Sequence, residues 1–251
     1  MKEFNVSKGF ENYSQRNNVI TPLDACGPTN FIQALEYAGW QWDNSIFPEL
    51  NQPEDKLCKF TRTNKDVLAY YEKHYYGMFK NWQNESNKLA KEQGKKYWEV
   101  RCIDSYPPNE VHDVMSYAVN LFLGYSPKDL VEKRPVSKFV NKFDEALVVY
   151  NIINKLPVVS SVDPFKRGSG HYITIVGFVA EDDFDEKATF NSQLLSKIKE
   201  YIIDNTYGKF DFINKKYIAV SGNDEHIERN KFLEIIKPVA HYFNEGAAVC
   251  C

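Results

Sequence analysis

Cys26-Gly27-Pro28-Thr29-Asn30-Phe31-Ile32-Gln33-Ala34-Leu35-Glu36-Tyr37-Ala38-Gly39 marks the change from a polar, Pro- and Asn-containing opening to a periodic segment. Phe31, Leu35, Ala38 and Trp42 recur at three- and four-residue steps, Pro28 suits a first helical turn, and Gly39 lies near the expected end. A helix that begins here carries Cys26 at its N-terminus. Unpaired backbone N–H groups and the positive end of the helix dipole act at that point, and both favour a thiolate over a thiol. Buried cysteines commonly serve as small hydrophobes, so a second reactive group has to accompany Cys26 before it reads as a nucleophile.

That group is His171. It sits in Gly168-Ser169-Gly170-His171-Tyr172-Ile173-Thr174-Ile175-Val176-Gly177, a glycine-rich turn that runs into a strand, so the imidazole is fixed at a strand start. The small neighbours are expected to leave room for substrate backbone. His74 and His112 fall inside helical patterns, and His226 and His241 sit among charged or terminal residues, so all four read as surface or core side chains. Tyr201-Ile202-Ile203-Asp204-Asn205-Thr206-Tyr207-Gly208 reads as a strand ending on side chains able to accept a hydrogen bond from an imidazole N–H, which would fix its tautomer. An ordinary Asp-Asn turn has the same composition.

Working outward, the stretch from Ser45 to about Glu99 is Tyr-, Lys- and Asn-rich, with a helical pattern through Val67, Leu68, Tyr71, His74, Tyr75 and Phe79. It is expected to be a helical insertion, at about 45–105, within one domain spanning 1–251. Asn109 to Leu123 and Asp144 to Asn154 read as further helices, and Val158 to Val162, Tyr172 to Val179, Tyr201 to Ile203 and Tyr217 to Val220 as strands. Helices crowded ahead of strands predict an α+β fold, a helical N-terminal half packed on an antiparallel β-sheet. No internal repeat is evident.

Composition narrows the function. With 251 residues, 43% of them hydrophobic, the chain has enough material for a sizeable core. Lys plus Arg (31) nearly balance Asp plus Glu (34), and a net charge of −3 offers no field to gather phosphates, so nucleic acid is not an expected partner. The apolar runs fall well short of the ~20 residues of a membrane helix, and MKEFNVSKGF lacks a secretion core. A cytoplasmic start is the expectation. Cysteines at 26, 58, 102, 250 and 251 show no Cys-x-x-Cys pair and match no CaaX box, so no disulfide framework is expected and Cys250 and Cys251 read as a frayed end. No spacing of His, Asp or Glu resembles a zinc site, and no cofactor is called for.

Taken together, Cys26-Gly27-Pro28-Thr29 opening a helix, Gly170-His171-Tyr172 entering a strand and Asn205-Thr206-Tyr207-Gly208 closing the next resemble the papain-like cysteine peptidases, which share the order Cys, His, Asn. Tyr13-Ser14-Gln15-Arg16-Asn17-Asn18 and the Pro-Val-Val strand resemble more narrowly the bacteriocin-leader-processing, C39-like branch of bacteria and phages. The resemblance implies Cys26 as nucleophile, His171 as base, Asn205 as its orienting partner and Gln15 as an oxyanion-hole donor. The branch usually carries Asp-Pro-x-Gly where this chain has Asn205-Thr206-Tyr207-Gly208, in agreement with papain's Asn-Ser-Trp-Gly instead. Counting back from Gly208 selects Asn205, and Asp204 is the alternative. The motifs occupy the first thirty or so residues and the stretch from about Asp144 to Gly208, and the helical region between them matches no known pattern.

The substrate is less constrained. No transporter segment follows the peptidase motifs, which argues against a leader-cleaving exporter. A phage or bacterial endolysin acting on peptidoglycan cross-links, released to the cell wall during lysis, is the leading expectation. The alternatives are an intracellular peptidase or acyltransferase acting on a protein tail, and a catalytically silent peptide-binding module. Trp40, Trp42, Trp82 and Trp98 are candidates for a cleft lining, although packing in helical patterns explains them as well.

Overall fold

The computed structural model describes residues 1–11, 13–168, 170–219 and 224–246. Cys250 and Cys251, together with Ser169 and Val220 of the quoted motifs, lie outside the described residues. In chain order the elements are β1 (Lys2–Asn5), α1 (Cys26–Tyr37), α2 (Pro53–Thr63), α3 (Lys65–His74), α4 (Tyr76–Gln93), α5 (His112–Phe122), α6 (Asp129–Glu132), β2 (Ser137–Val140), α7 (Glu145–Ile153), β3 (Val158–Val162), β4 (His171–Ala180), α8 (Ser192–Leu195), β5 (Ile198–Asp204), β6 (Lys209–Asp211), β7 (Lys216–Ile218), β8 (Glu225–Glu228), α9 (Arg229–Ile235) and β9 (Ile236–Phe243). Single 3₁₀ turns at Gln15–Asn17 and Pro108–Glu110 flank the start of α1 and α5.

The expected α+β architecture is present. An antiparallel sheet runs β2-β9-β3-β4-β5-β8, and β1 pairs with the far half of β4, continuing the line of β3. All ten residues of β4 are buried, because helices cover both faces of the sheet. On one face Phe31, Ile32 and Leu35 of α1 and Met115, Val119 and Phe122 of α5 pack on Val159, Tyr172 and Phe243. On the other, Val148, Val149 and Ile152 of α7 and Phe232 and Ile235 of α9 pack on Ile173, Ile175 and Phe178. Helices α3 and α4 form a third cluster with α5, built on Tyr71, Phe79, Trp82 and Val114.

Several expectations change in detail. The pattern from Val67 to Phe79 is two helices, because Tyr75 (φ −140°, ψ 47°) leaves the helical region between α3 and α4. Trp42 lies past the end of α1, on a non-helical stretch. Tyr217 belongs to β7, which pairs with β6 in a separate two-stranded ribbon. Strands β1, β2 and β9 were not anticipated, and β9 places the supposedly terminal His241 inside the sheet, between β2 and β3, at 0% exposure.

Phe31 anchors α1 on the sheet, with its ring 4.8 Å from that of His241, 5.8 Å from Phe243 and 6.1 Å from Tyr172. Truncation of a buried Phe typically costs about 3–5 kcal/mol. Phe31→Ala is therefore expected to lower the stability read from the urea unfolding midpoint by that order, with an unchanged m-value.

Candidate active site

The local sequence explains why Cys26 faces a cleft. Helix α1 begins at Cys26 with Ala25 in front of it and no side-chain cap, so the first-turn N–H groups stay available at the mouth of the helix. His171 opens β4, opposite Val162 of β3, and Asn205 follows the last residue of β5. The antiparallel register pairs Thr174 with Asp204, which brings the start of β4 and the end of β5 to the same end of the sheet. His171 Nε2 lies 2.8 Å from Asn205 Oδ1. Because the backbone N–H of Tyr207 also donates to that oxygen (3.2 Å), the amide orientation is fixed and the ring must donate through Nε2. His171 Nδ1 is then the unprotonated nitrogen.

Asp204, the alternative partner, points elsewhere. Its Oδ2 accepts from Gln33 Nε2 (2.8 Å) and Tyr37 Oη (2.7 Å), on the side of α1. Gly208 takes φ +121°, and a Cβ there would stand 2.2 Å from the Ile218 carbonyl, so the turn closes on β7 only with glycine. Gly170 lines the cleft with His171, and a Cβ there would also stand 2.5 Å from the Ser161 hydroxyl of β3.

Gln15 is 1% exposed and its amide is fully oriented. Nε2 donates to the Pro22 carbonyl (3.0 Å), and Oε1 accepts from the Thr206 hydroxyl (3.0 Å). Gln15, Cys26 and His171 all line one cleft of about 780 Å³. None of the four tryptophans lines it: Trp82 and Trp98 are buried against helices, and the Trp40 indole donates to the Asn244 carbonyl.

Sequence reasoning missed Asn30. Fully buried one turn after Cys26, its Nδ2 lies 2.8 Å from the Cys26 carbonyl, 3.0 Å from the Tyr172 carbonyl and 3.1 Å from Thr206 Oγ1, while its Oδ1 accepts from Thr174 Oγ1 (2.9 Å). The available signal was polar Thr29, Asn30 and Gln33 at steps of three, four and seven from Cys26, among buried neighbours such as Phe31, Ile32, Ala34 and Leu35. His112, set aside as a helix residue, also lines the cleft; its Nδ1 is 2.9 Å from Nε2 of the buried His241.

Burial pushes the Cys26 thiol up to about 12, against backbone hydrogen bonds from Tyr172 and Gly27 that favour the thiolate and with Glu110 and Asp24 adding to the rise. Burial likewise pushes His171 down to about 4, opposed by the Asn205 hydrogen bond. Desolvation thus opposes the helix terminus and disfavours the charged form of both groups. Glu110, on the cleft wall, is pushed up to about 8 by burial and by the charge of Asp24.

The layered α+β architecture, with helices on an antiparallel sheet, is that of a papain-like peptidase. A family model described as the Peptidase C39-like family matches residues 7–219, and the chain belongs to that family. The match runs through the helical stretch that carried no recognisable motif, and it ends before β8, α9 and β9. Comparison with curated proteins finds no match. The family points to cysteine peptidase activity on a peptide substrate. No helix among the described residues is long and apolar enough to cross a membrane.

Burial also raises Asp204 well above the usual carboxylate range, and the hydrogen bond that its protonated carboxyl donates to Asp224, with the charge of Asp224, contributes. The folded chain thus keeps a proton there that the unfolded chain releases near pH ~4, and stability from this group falls as pH rises above that value. Asp204→Asn reproduces the protonated hydrogen-bonding pattern without the titration. Its stability relative to the parent is expected to improve progressively from pH 4 towards neutrality in urea titrations, and a pH-independent difference would count against this assignment.

Proposed function

We propose that the protein is a cysteine peptidase working through an acyl-enzyme on Cys26, in a single papain-like domain in which the helices between about 45 and 105 are an elaboration. The observation that carries this reading is the pair His171–Asn205 at 2.8 Å, in one cleft with Cys26 and an oriented Gln15. Nδ1 of His171 takes the thiol proton as sulfur attacks the substrate carbonyl, so the ion pair is created during attack, not stored beforehand. The oxyanion that forms is held by the second N–H of Gln15 Nε2, the one not given to Pro22, and by the backbone N–H of Cys26, which has no intrahelical acceptor. The imidazolium then gives its proton to the leaving amine as the C–N bond breaks. Water, deprotonated by the same ring, releases the acid and the thiol regains its proton.

Incubation of the protein and its Cys26→Ala variant with a peptide library and with purified peptidoglycan, followed by mass spectrometry of new amino termini, tests the activity and its bond. Peptidoglycan cross-links are the substrate that the sequence brings forward, and protein tails are the other arm. Cys26→Ala is expected to abolish cleavage. Gln15→Ala is expected to slow turnover by the ~3 kcal/mol associated with one oxyanion donor, with little change in iodoacetamide labelling of Cys26, since alkylation builds no oxyanion.

The pH dependence separates this mechanism from one with a preformed ion pair. His171 must be neutral to act as base, and its value near 4 places the acid limb of kcat/KM near pH 4, well below an ordinary histidine. The thiol value near 12 means that iodoacetamide labelling of the empty protein keeps rising with pH above 8.5. A labelling plateau below that pH is incompatible with the neutral resting pair.

A further inference from the structure

Beside His171 the cleft carries hydrogen-bonding capacity that acyl transfer does not use. A Cβ on Gly170 would stand 2.5 Å from Ser161 Oγ and 3.5 Å from Lys237 Nζ, so a hydroxyl and an ammonium converge on the residue immediately before the base. Ser161, Gly170 and Lys237 line the same cleft as Cys26 and His171. Lys237 reaches this place from β9, and one of its three N–H groups goes to the Gly168 carbonyl (3.1 Å). Its other two N–H groups and the Ser161 hydroxyl make no hydrogen bond among the described residues.

The charge of Lys237 is likewise uncommitted. Asp163 feels it, but the Asp163 oxygens are taken by the backbone N–H groups of Arg167 (2.8 Å) and Gly168 (2.7 Å), and among the described residues no carboxylate forms an ion pair with Lys237. Arg167, also on the cleft, gives Nη2 to the Lys215 carbonyl (2.7 Å), so two cations surround this turn against one carboxylate. His112 is near enough to sense the ammonium: burial, and then the charge of Lys237, push it down to about 4. Its Nδ1 is bonded to His241 Nε2 (2.9 Å), and His241 Nδ1 is buried without a partner. The tautomer that leaves no buried N–H of His241 without an acceptor puts the His112 proton on Nε2, as a further donor.

We propose that Lys237, Ser161 and His112 form a subsite for a carboxylate of the peptide substrate, either an acidic side chain or a free C-terminal carboxylate, close to the bond presented to Cys26. A carboxylate is the anion that an unmodified peptide carries, and it satisfies an ammonium and two neutral donors at once through charge-assisted bonds. The inference rests on the acyl-enzyme reading of Cys26. Lys237 lies beyond residues 7–219, so the charge that defines the subsite is contributed from outside the segment matched by the family model.

The test compares the full chain with its Lys237→Met and Lys237→Glu variants on a randomised synthetic peptide library in two arms, one with amidated C-termini and one with free C-termini but no Asp or Glu. Thermal unfolding and iodoacetamide labelling at pH 9 check that fold and thiol are intact. Products identified by mass spectrometry are expected to place a carboxylate at a fixed position relative to the cleaved bond. Enrichment of Asp or Glu in the amidated arm identifies a side chain, and cuts at a constant distance from the chain end in the other arm identify the terminal group. The ratio of kcat/KM between a carboxylate-bearing peptide and its amide counterpart is expected to fall about tenfold in Lys237→Met, and Lys237→Glu is expected to prefer a lysine at that position, a reversal that a merely structural lysine would not give. Cleavage without a carboxylate preference, or a preference that survives both substitutions, overturns the subsite and leaves the peptidase reading intact. Absence of any Cys26-dependent cleavage in either arm overturns both.

Discussion

The Asn30 carboxamide holds together parts of the chain that local structure alone would leave independent. Cys26 belongs to a helix, His171 to β4, Asn205 to the turn that follows β5, and Gln15 to a loop more than a hundred residues from either strand. Asn30 shares the two N–H groups of Nδ2 among the Cys26 carbonyl within its own helix, the carbonyl beside His171 and the hydroxyl beside Asn205. Its polarity propagates. Since an Asn30 N–H points at Thr206 Oγ1, the Thr206 proton goes to Gln15 Oε1, and the Gln15 amide must turn its N–H groups towards Pro22 and the cleft. Orphaning a buried polar group costs about 1–3 kcal/mol, so a network joined at one residue fixes geometry more firmly than separate contacts of the same number.

The same burial that makes this network strong works against charge on both Cys26 and His171. A helix N-terminus favours a thiolate, and its partial charge competes here with desolvation of the sulfur at the start of α1, which raises the thiol. In the acyl-transfer reading, charge separation accompanies attack on the substrate carbonyl.

The sequence was legible where its signals were local. The start of α1 followed from Pro28 and the three- and four-residue steps, β4 from its β-branched run, and the Asn205 register from Gly208, whose φ of +121° only glycine tolerates readily. What could not be read depended on distant partners. Strand β1 exists because Lys2–Asn5 finds the free edge of β4, and nothing within four residues announces that pairing. The break at Tyr75 has no Pro to mark it, the nearby Gly77 lies inside α4, and α3 and α4 share one apolar cluster with α5. Asn30 looked like one polar residue in an amphipathic helix, and its four partners lie on three separate elements.

The position of β9 has a consequence for how the molecule comes into being. Residues 236–243 sit between β2 and β3, not at an edge, so two of the sheet's internal seams are absent until the ribosome has delivered this segment. Pairings that span so much chain carry a large loop-closure cost and form slowly. Before they form, β3 presents an unpaired edge beside the strand that carries His171, and α1 has no Phe243 or His241 to rest upon. A nascent chain therefore cannot complete the sheet behind the cleft until residues 236–243 have been synthesised.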